Sequence, residues 1–252
     1  MTTAIEVQNV SKFFGSLRAV DGVSVNIEEK SLTILIGPNG SGKTTLINTI
    51  AGLHRADTGK VLLNGKDITK LQPHEIYRLG LARTFQIPSL FWKLTVLENA
   101  ITAVKGNPGE GFLRSTLKRT WIKQEREAAE AAFRTLNLVG LYDMWDKPAE
   151  SLSGGQMKLL EIARGLMGGA KVVLLDEPIS GVNPRLAHEI FERLVSLRRD
   201  LGITFFIIEH RLDVALQYID TVVAMAFGKV IASGKPEVVM TDPRLIEAYL
   251  GG

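Results

Sequence analysis

A glycine-rich loop is the feature that most constrains what this chain can fold into. Residues 37–44 read Gly-Pro-Asn-Gly-Ser-Gly-Lys-Thr and match the pattern G-x-x-x-x-G-K-[ST]. The loop follows an apolar segment, Leu32–Ile36, and precedes a helix predicted over about residues 42–51. A strand, such a loop and a helix in this order predict a phosphate-binding site.

Each residue type in the loop suits a polyphosphate ligand. Glycines let the backbone wrap closely, so that successive N–H groups and the positive end of the next helix face the phosphates. Lys43 adds a positive charge, and the Thr44 hydroxyl is a hard oxygen ligand suited to Mg²⁺. We therefore predict nucleotide contacts from Gly37, Pro38, Asn39, Gly40, Ser41, Gly42, Lys43, Thr44 and Thr45. The alternative is a glycine-rich turn without a ligand.

A second signal is an apolar segment that ends in two carboxylates. Residues 172–178 read Val-Val-Leu-Leu-Asp-Glu-Pro, typical of a buried parallel strand with acids at its carboxyl end, where α/β folds place ligands. Asp176 is suited to the magnesium shell, and Glu177 to activating or positioning an attacking water. Taken alone, the two acids could equally be solvated turn residues.

A third signal is the sequence Leu-Ser-Gly-Gly-Gln at residues 152–156, followed by helical spacing to residue 167. Ser153 is a candidate N-cap, and Gly154 and Gly155 permit close approach of backbone N–H groups to an anion. A plain capped helix is the alternative.

Composition and element order favour a globular α/β domain. Hydrophobic residues make up 45% and charged residues 23% of the 252 residues. Strands are predicted at 5–10, 19–27, 32–36 and 61–63, helices from about 86 to 164, and alternating strands and helices after 172. A helix over 125–136 is expected to bury Ala129, Ala132, Phe133 and Leu136 and to pair Glu130 with Arg134. Asn183 and Pro184 predict the start of another helix, and residues 211–219 a further one.

Several classes of protein are excluded or disfavoured. No cysteine is present, which excludes disulfide scaffolds, thiolate zinc sites, iron–sulfur clusters and thiol nucleophiles. The net charge of +3 does not argue for nucleic-acid binding. Apolar runs such as 203–208 are far shorter than the ~18 residues that cross a bilayer. The first residues do not have the pattern of a secretory signal, so we expect a cytoplasmic protein.

The three motifs, in this order, resemble the ATPase subunits of ABC transporters, and the signature Leu-Ser-Gly-Gly-Gln makes the likeness specific. The resemblance covers essentially the whole chain. It implies an α/β fold: a P-loop NTPase core of a mixed or parallel sheet flanked by helices, an N-terminal antiparallel β subdomain and an inserted α-helical subdomain. Residues 1–252 would form one ATP-binding domain, with the core and β subdomain at about 1–86 and 166–252 and the helical subdomain at about 87–165.

The resemblance also implies roles for residues outside the three motifs. Phe14 would stack on adenine with Val20 beside it; Phe13 is the alternative, and both could be core residues. Gln86 would contact Mg²⁺ and the attacking water, although a lone glutamine is usually a surface residue. His210, after the segment 205–209, would be a switch histidine. The other histidines are expected to be surface or structural residues: His54, His74 and His188.

The implied ligands are ATP, or ADP after hydrolysis, and Mg²⁺. Catalytic roles fall to Glu177, His210, Gln86 and Lys43, and metal binding to Thr44, Gln86 and Asp176. One loop covers only one side of the γ-phosphate, so the other side would be closed in trans by Ser153, Gly154, Gly155 and Gln156 of a second ATPase subunit. A lone chain is then expected to bind nucleotide but to hydrolyse it slowly.

Within the family, the chain is similar to the branched-chain amino acid importer (LivG-like) subgroup through residues 83–86, 94–99, 177–184 and 246–251. Urea, amide and lipopolysaccharide ATPases have similar stretches. This resemblance implies permease subunits, an extracytoplasmic substrate-binding protein, and a paralogous ATPase favoured over a second copy. The chain would lie on the inner face of the membrane and bind no nucleic acid. Asn183 and Arg211 depart from the commoner family residues.

Apolar residues after Gln86, namely Ile87, Leu90, Phe91 and Trp92, are a candidate socket for a permease helix. The alternative is that they fill the core of the helical lobe. Two other functions are less consistent with the sequence. A DNA-repair or chromosome-organising ATPase would need a long coiled coil between Gln86 and Ser153, and ribosome-regulating relatives usually carry two cassettes.

Overall fold

The computed structural model describes residues 2–84, 89–105 and 118–250, without the side chains of 118–122 and 250. The chain divides into two compact units. One consists of Met1–Gln86 and Lys171–Gly252, and the other of Ile87–Ala170. Within the described ranges, no helix is both long enough and apolar enough to cross a membrane.

The first unit contains all strands of the described chain. They are β1 (Thr3–Phe14), β2 (Leu17–Glu28), β3 (Leu32–Ile36), β4 (Thr58–Leu63), β5 (Lys66–Asp67), β6 (Leu81–Arg83), β7 (Val172–Asp176), β8 (Thr204–Ile208), β9 (Thr221–Ala226) and β10 (Lys229–Gly234). One sheet is antiparallel, in the order β2-β1-β4-β5.

The helices, in chain order, are α1 (Lys43–Ile50), α2 (Pro73–Arg78), α3 (Val96–Ile101), α4 (Lys118–Leu138), α5 (Gly154–Met167), α6 (Pro184–Leu201), α7 (Leu212–Ala215), α8 (Pro236–Val239) and α9 (Pro243–Leu250). Helices α3 to α5 belong to the second unit. The predicted α/β fold with an antiparallel sheet and a second, mixed sheet is confirmed.

The larger sheet brings the predicted motifs to one edge. Its order is β10-β9-β3-β8-β7-β6, and strands β6, β7, β8, β3 and β9 are parallel. The carboxyl ends of parallel strands meet at the same edge of a sheet. The glycine-rich loop after β3, the acids at the end of β7 and the segment after β8 therefore lie at that edge.

Helix α1 anchors the glycine-rich loop to the core. Its side chains Leu46, Ile47 and Ile50 are fully buried. They belong to a hydrophobic cluster that also contains Val7 of the antiparallel sheet and Phe206 of the larger sheet. Because a close-packed core resists displacement, this packing holds the N-terminus of α1 in place.

Several predicted elements were right and some details were wrong. Asn183 caps α6 through a bond from Leu186 N to Asn183 Oδ1 of 2.9 Å, as expected. Helix α4 buries Ala132 and Leu136 as predicted, whereas Ala129 and Phe133 are only half-buried. Glu130 pairs with Arg126 at 3.8 Å rather than with Arg134. The predicted helix over 211–219 is broken into α7 and a 3-10 turn, Leu216–Tyr218.

Candidate nucleotide-binding site

The loop between β3 and α1 has a backbone that only glycine allows at two positions. Gly37 has φ 147° and Gly42 has φ 101°, both in the region that L side chains rarely adopt. A Cβ atom on Gly37 would collide with the carbonyl oxygen of Met225, and one on Gly42 with that of Ala19. The glycines thus allow the loop to lie directly against neighbouring backbone.

Lys43 is folded back onto this loop. Its Nζ donates to the carbonyl oxygens of Gly37 at 2.8 Å and Pro38 at 2.9 Å, and the residue is 6% exposed. Burial lowers the pKa of Lys43, while the charges of Glu177 and Asp176 act in the opposite direction. The ammonium group is therefore held at the loop by carbonyls that phosphate oxygens could replace.

The N-terminus of α1 is open for a ligand. Gly42 has no side chain to cap the helix, and the first turn of α1 contains no acidic residue. Unpaired N–H groups and the helix dipole together favour an anion at such an end. Thr44 is exposed there, and Thr45 is half-buried.

Asp176 is held by an arginine that the sequence analysis did not single out. Arg83 Nη2 lies 3.2 Å from Asp176 Oδ2, and both side chains are about nine-tenths buried. Arg83 also donates to Asn48 Oδ1 on α1. Burial lowers the pKa of Arg83, and the charge of Asp176 opposes that shift. Arg83 is the last residue of β6, which pairs with β7, and this position could have predicted its contact with Asp176.

Glu177 and His210 lie together. Glu177 Oε1 is 3.3 Å from His210 Nε2. Glu177 has φ 48°, unusual for a residue other than glycine, and its N–H donates to Ile208 O at 2.9 Å. Backbone conformations of this kind cluster at active sites. Two site residues predicted from separate segments of the sequence are thus in contact.

One cavity of about 550 Å³ contains most of the predicted residues of the first unit. Its lining includes Phe14, Asn39, Lys43, Thr44, Glu177 and His210. An aromatic ring, the glycine-rich loop and an acid–imidazole pair therefore line a single cavity in one compact unit.

Phe14 is the aromatic residue at this cavity, and it is 45% exposed. Its ring packs edge-on against His54, with centroids 5.3 Å apart. The end of β1 is held by Asp57, whose Oδ2 accepts from Phe13 N at 2.6 Å. Val20, expected beside Phe14 at the nucleotide, is instead fully buried in the core. Ala19, one residue earlier, lines the cavity in its place.

The chemistry of the donor set fits Mg²⁺. Thr44 is exposed and lines the cavity, and the Asp176 carboxylate is close enough to Lys43 to influence its pKa. Hydroxyl and carboxylate oxygens are the hard ligands that this ion prefers. Gln86, the third predicted ligand, lies outside the described residues.

The second unit contains the other glycine-rich helix start. Ser153 Oγ accepts from Gln156 N at 3.4 Å, and Gln156 Oε1 accepts from Ser153 N at 2.9 Å. These two bonds form a capping box, so the predicted cap at Ser153 is confirmed. Ser153 and Gly154 are exposed, whereas Gly155 is buried.

The candidate permease socket is divided between surface and core. Phe91 is 52% and Trp92 42% exposed, whereas Leu90 is 7% exposed. Leu90 therefore matches the alternative in which it fills the core. Asn99 is fully buried on α3, and its Oδ1 accepts a hydrogen bond from Phe91 N at 2.9 Å, which fixes the backbone at Phe91. Ile87 lies outside the described residues.

Tyr249 on α9 touches the glycine-rich loop and had no assigned role in the sequence analysis. Its hydroxyl accepts a hydrogen bond from Gly37 N at 3.1 Å. Burial raises the pKa of the Tyr249 hydroxyl, and the bond from Gly37 opposes that shift. Tyr249 lies near the end of the chain, and no local pattern links it to residue 37.

Comparison with known proteins decides the family. The model of the ABC transporter family matches residues 20–180. This chain belongs to the ABC transporter family. A second model, described as branched-chain amino acid ATP-binding cassette transporter, matches residues 229–252, where Tyr249 lies.

Three similar proteins extend this result. The "probable branched-chain amino acid transport ATP-binding protein LivG" of Archaeoglobus fulgidus is 52% identical over 98% of this ABC chain and 95% of its own length. The ADP conformation of the ATP-binding cassette MJ1267 covers 100% of both chains with 45% identity and TM-score 0.86. The dimeric ABC transporter cassette MJ0796 shares 25% identity over 92% of this chain and 98% of its own, with TM-score 0.76.

Proposed function

We propose that this chain is the ATP-hydrolysing subunit of an ABC transporter that imports branched-chain amino acids through partner permeases. The observation that carries the proposal is the cavity in which the loop with Lys43 faces the same space as Glu177 and His210. A phosphate-binding loop beside a strand-terminal acid is the arrangement that phosphoryl transfer to water requires.

Within this site, the residues of the loop bind the phosphates and the remaining residues act on water. Lys43 exchanges its two carbonyl partners for phosphate oxygens and stabilises negative charge. Glu177 orients the attacking water or accepts its proton, and His210 fixes the Glu177 carboxylate at 3.3 Å. Thr44, Asp176 and Gln86 would hold Mg²⁺, which when bound neutralises phosphate charge. Phe14 stacks on the adenine ring.

A second ATPase subunit completes the site. We propose that Ser153, Gly154, Gly155 and Gln156 of that subunit face the γ-phosphate, and that a paralogue is the physiological partner. The exposed start of α5 supports this proposal. The relative MJ0796 is described as dimeric. We further propose that the whole chain forms one ATP-binding domain with Ile87–Ala170 as its helical subdomain.

Our proposals for the transported substrate and for the cellular location are supported by the names of the relatives. The Archaeoglobus relative is named for branched-chain amino acid transport, and the final 24 residues match a model named for the same transport. We propose a cytoplasmic subunit, bound to the inner face of the membrane through permeases that receive cargo from an extracytoplasmic binding protein.

The exposed rings of Phe91 and Trp92 are our proposal for the permease contact. In reconstituted vesicles, Trp92→Ala should uncouple leucine uptake from ATP hydrolysis and leave nucleotide binding unchanged. Trp145→Ala is the matched control, because Trp145 is 41% exposed in the same unit. Normal coupling in Trp92→Ala would place the socket elsewhere.

The ATPase proposal is tested with the purified chain. Nucleotide binding is measured by titration, and the hydrolysis rate per chain is measured over a wide range of protein concentrations. We expect nucleotide binding at all protein concentrations. The hydrolysis rate per chain should rise with protein concentration, because each complete site needs two chains and a second copy should replace the paralogue at high concentration. A chain that binds no ATP contradicts the proposed function, and a rate independent of concentration contradicts the shared site.

A further inference from the structure

Glu209 and Arg211 flank His210 and connect two loops at the carboxyl ends of neighbouring strands. Strand β7 leads into residues 177–183, and β8 leads into residues 209–211; the two strands pair in parallel. Glu209 is 2% exposed. A carboxylate buried to this degree must be satisfied by donors of the protein itself.

Three backbone N–H groups satisfy Glu209. Its Oε1 accepts from Ile179 N at 2.9 Å. Its Oε2 accepts from His210 N at 2.9 Å and from Arg211 N at 3.2 Å. One oxygen therefore holds the loop that follows Glu177, and the other holds the backbone of the histidine loop.

Arg211 makes a second tie between the same loops. Its guanidinium Nη1 donates to the carbonyl oxygen of Val182 at 2.7 Å. Bonds with one ionised partner are stronger than neutral ones. The bond from Arg211 therefore connects the histidine loop to the far end of the segment 177–183, whereas Glu209 connects it to the near end.

We propose that Glu209 and Arg211 are positioning residues that hold the His210 imidazole against the Glu177 carboxylate. Glu177 itself has a left-handed backbone, φ 48°, so its side-chain direction depends on the loop that follows it. A misplacement of about 1 Å in such a pair can cost on the order of a hundredfold in rate. The inference rests on the proposed ATPase function.

The test uses Arg211, because replacement of the buried Glu209 risks unfolding the chain. In the full-length chain, Arg211→Ala should lower kcat on the order of tenfold, the loss expected for one charge-assisted hydrogen bond. The KM for ATP should stay unchanged, the melting temperature should fall by only a few °C, as the loss of one hydrogen bond predicts, and Arg211→Lys should recover most of the rate. Arg185→Ala is the matched control, because Arg185 is an exposed arginine on α6 paired with Glu189 at 3.2 Å.

A double-mutant cycle separates positioning from a general structural effect. In a His210→Ala chain, adding Arg211→Ala should lower the residual kcat by less than about twofold, because coupled residues are not additive. Full additivity of the two losses would overturn the inference, as would a fall in kcat that disappears when the rate is expressed per folded chain. Hydrolysis by Arg211→Ala at the wild-type rate also overturns it but leaves the ATPase proposal standing. If the wild-type chain does not hydrolyse ATP, both the positioning inference and the ATPase proposal are wrong.

Discussion

The two glycine-rich helix starts of this chain look alike in sequence and differ in structure. At the start of α1, no side chain caps the helix, and Lys43 is held by loop carbonyls that a ligand can replace. At the start of α5, Ser153 and Gln156 form a closed capping box. The N–H groups at the start of α1 can therefore bind an anion, whereas the cap at the start of α5 already satisfies part of the backbone hydrogen bonding there.

This difference indicates that the two helix ends have different functions. An open helix end with an adjacent lysine can bind phosphate in a single chain. A helix end that is capped but exposed gains less free energy from binding an anion by itself. It is better suited to contact a nucleotide that is already bound to another subunit. We therefore expect substitutions in the loop before α1 to alter nucleotide affinity in dilute solution, and substitutions at the start of α5 to alter only the hydrolysis rate.

The largest expected effect concerns Glu177, which lies at the α1 site but belongs to the chemical step. Glu177→Gln should lower the hydrolysis rate by roughly a hundredfold to ten-thousandfold, the usual contribution of a general base, and should leave nucleotide affinity unchanged. Single-turnover kinetics measure this split. Glu192→Gln, an exposed residue on α6, is the control, and retained hydrolysis in Glu177→Gln would exclude the catalytic role.

Lys43→Ala should weaken ATP binding by roughly tenfold to a hundredfold, because a charged hydrogen-bond donor to the phosphates is lost. Calorimetry on the dilute chain measures the affinity. Lys66→Ala on β5 is the control for loss of a lysine, since Lys66 is exposed. An unchanged affinity in Lys43→Ala would mean that the open α1 end is not the phosphate site.

Ser153→Ala sharpens the comparison from the α5 side. Loss of the cap should cost about 1 kcal/mol of stability, and the hydrolysis rate at high protein concentration should fall while affinity in dilute solution stays the same. Thr95→Ala is a closely matched control, because Thr95 forms a capping box with Glu98 on α3. If both variants lower hydrolysis equally, the effect belongs to capping and not to the signature.

The smallest effect is expected for Tyr249→Phe. This change removes the bond to Gly37 N of 3.1 Å and should weaken nucleotide binding by about twofold to tenfold, in line with one neutral hydrogen bond. Equilibrium titration with ADP measures it, with Tyr142→Phe as the control at an exposed tyrosine. A stronger loss of stability than of affinity would show that Tyr249 merely supports the fold.

Local patterns were enough for the loop 37–44, the cap at Ser153 and the strand that ends at Asp176, because each depends on neighbouring residues. Contacts between distant segments were not predictable in this way, as the bonds from Gly37 to Tyr249 and from Arg83 to Asp176 show. Alternate residues of a strand face opposite sides, and β2 directs Val20 into the core; its expected place beside the nucleotide stays a prediction. The roles of the remaining site residues stay predictions.

Complementation between two inactive variants tests most directly whether ATP is held between two chains. Lys43→Ala damages the α1 site. Gly154→Arg is designed to block the α5 start, where a Cβ meets none of the described atoms within 4 Å, so that position 154 has room for a side chain to begin. We expect a second copy to replace the paralogue at high concentration. At an ATP concentration that saturates the wild-type chain but not Lys43→Ala, each variant alone should then show little activity. An equal mixture should regain about a quarter of the wild-type ATPase rate, since half of the pairs contain one intact site. A mixture as inactive as its components, at concentrations where the wild-type chain is active, would contradict the shared site.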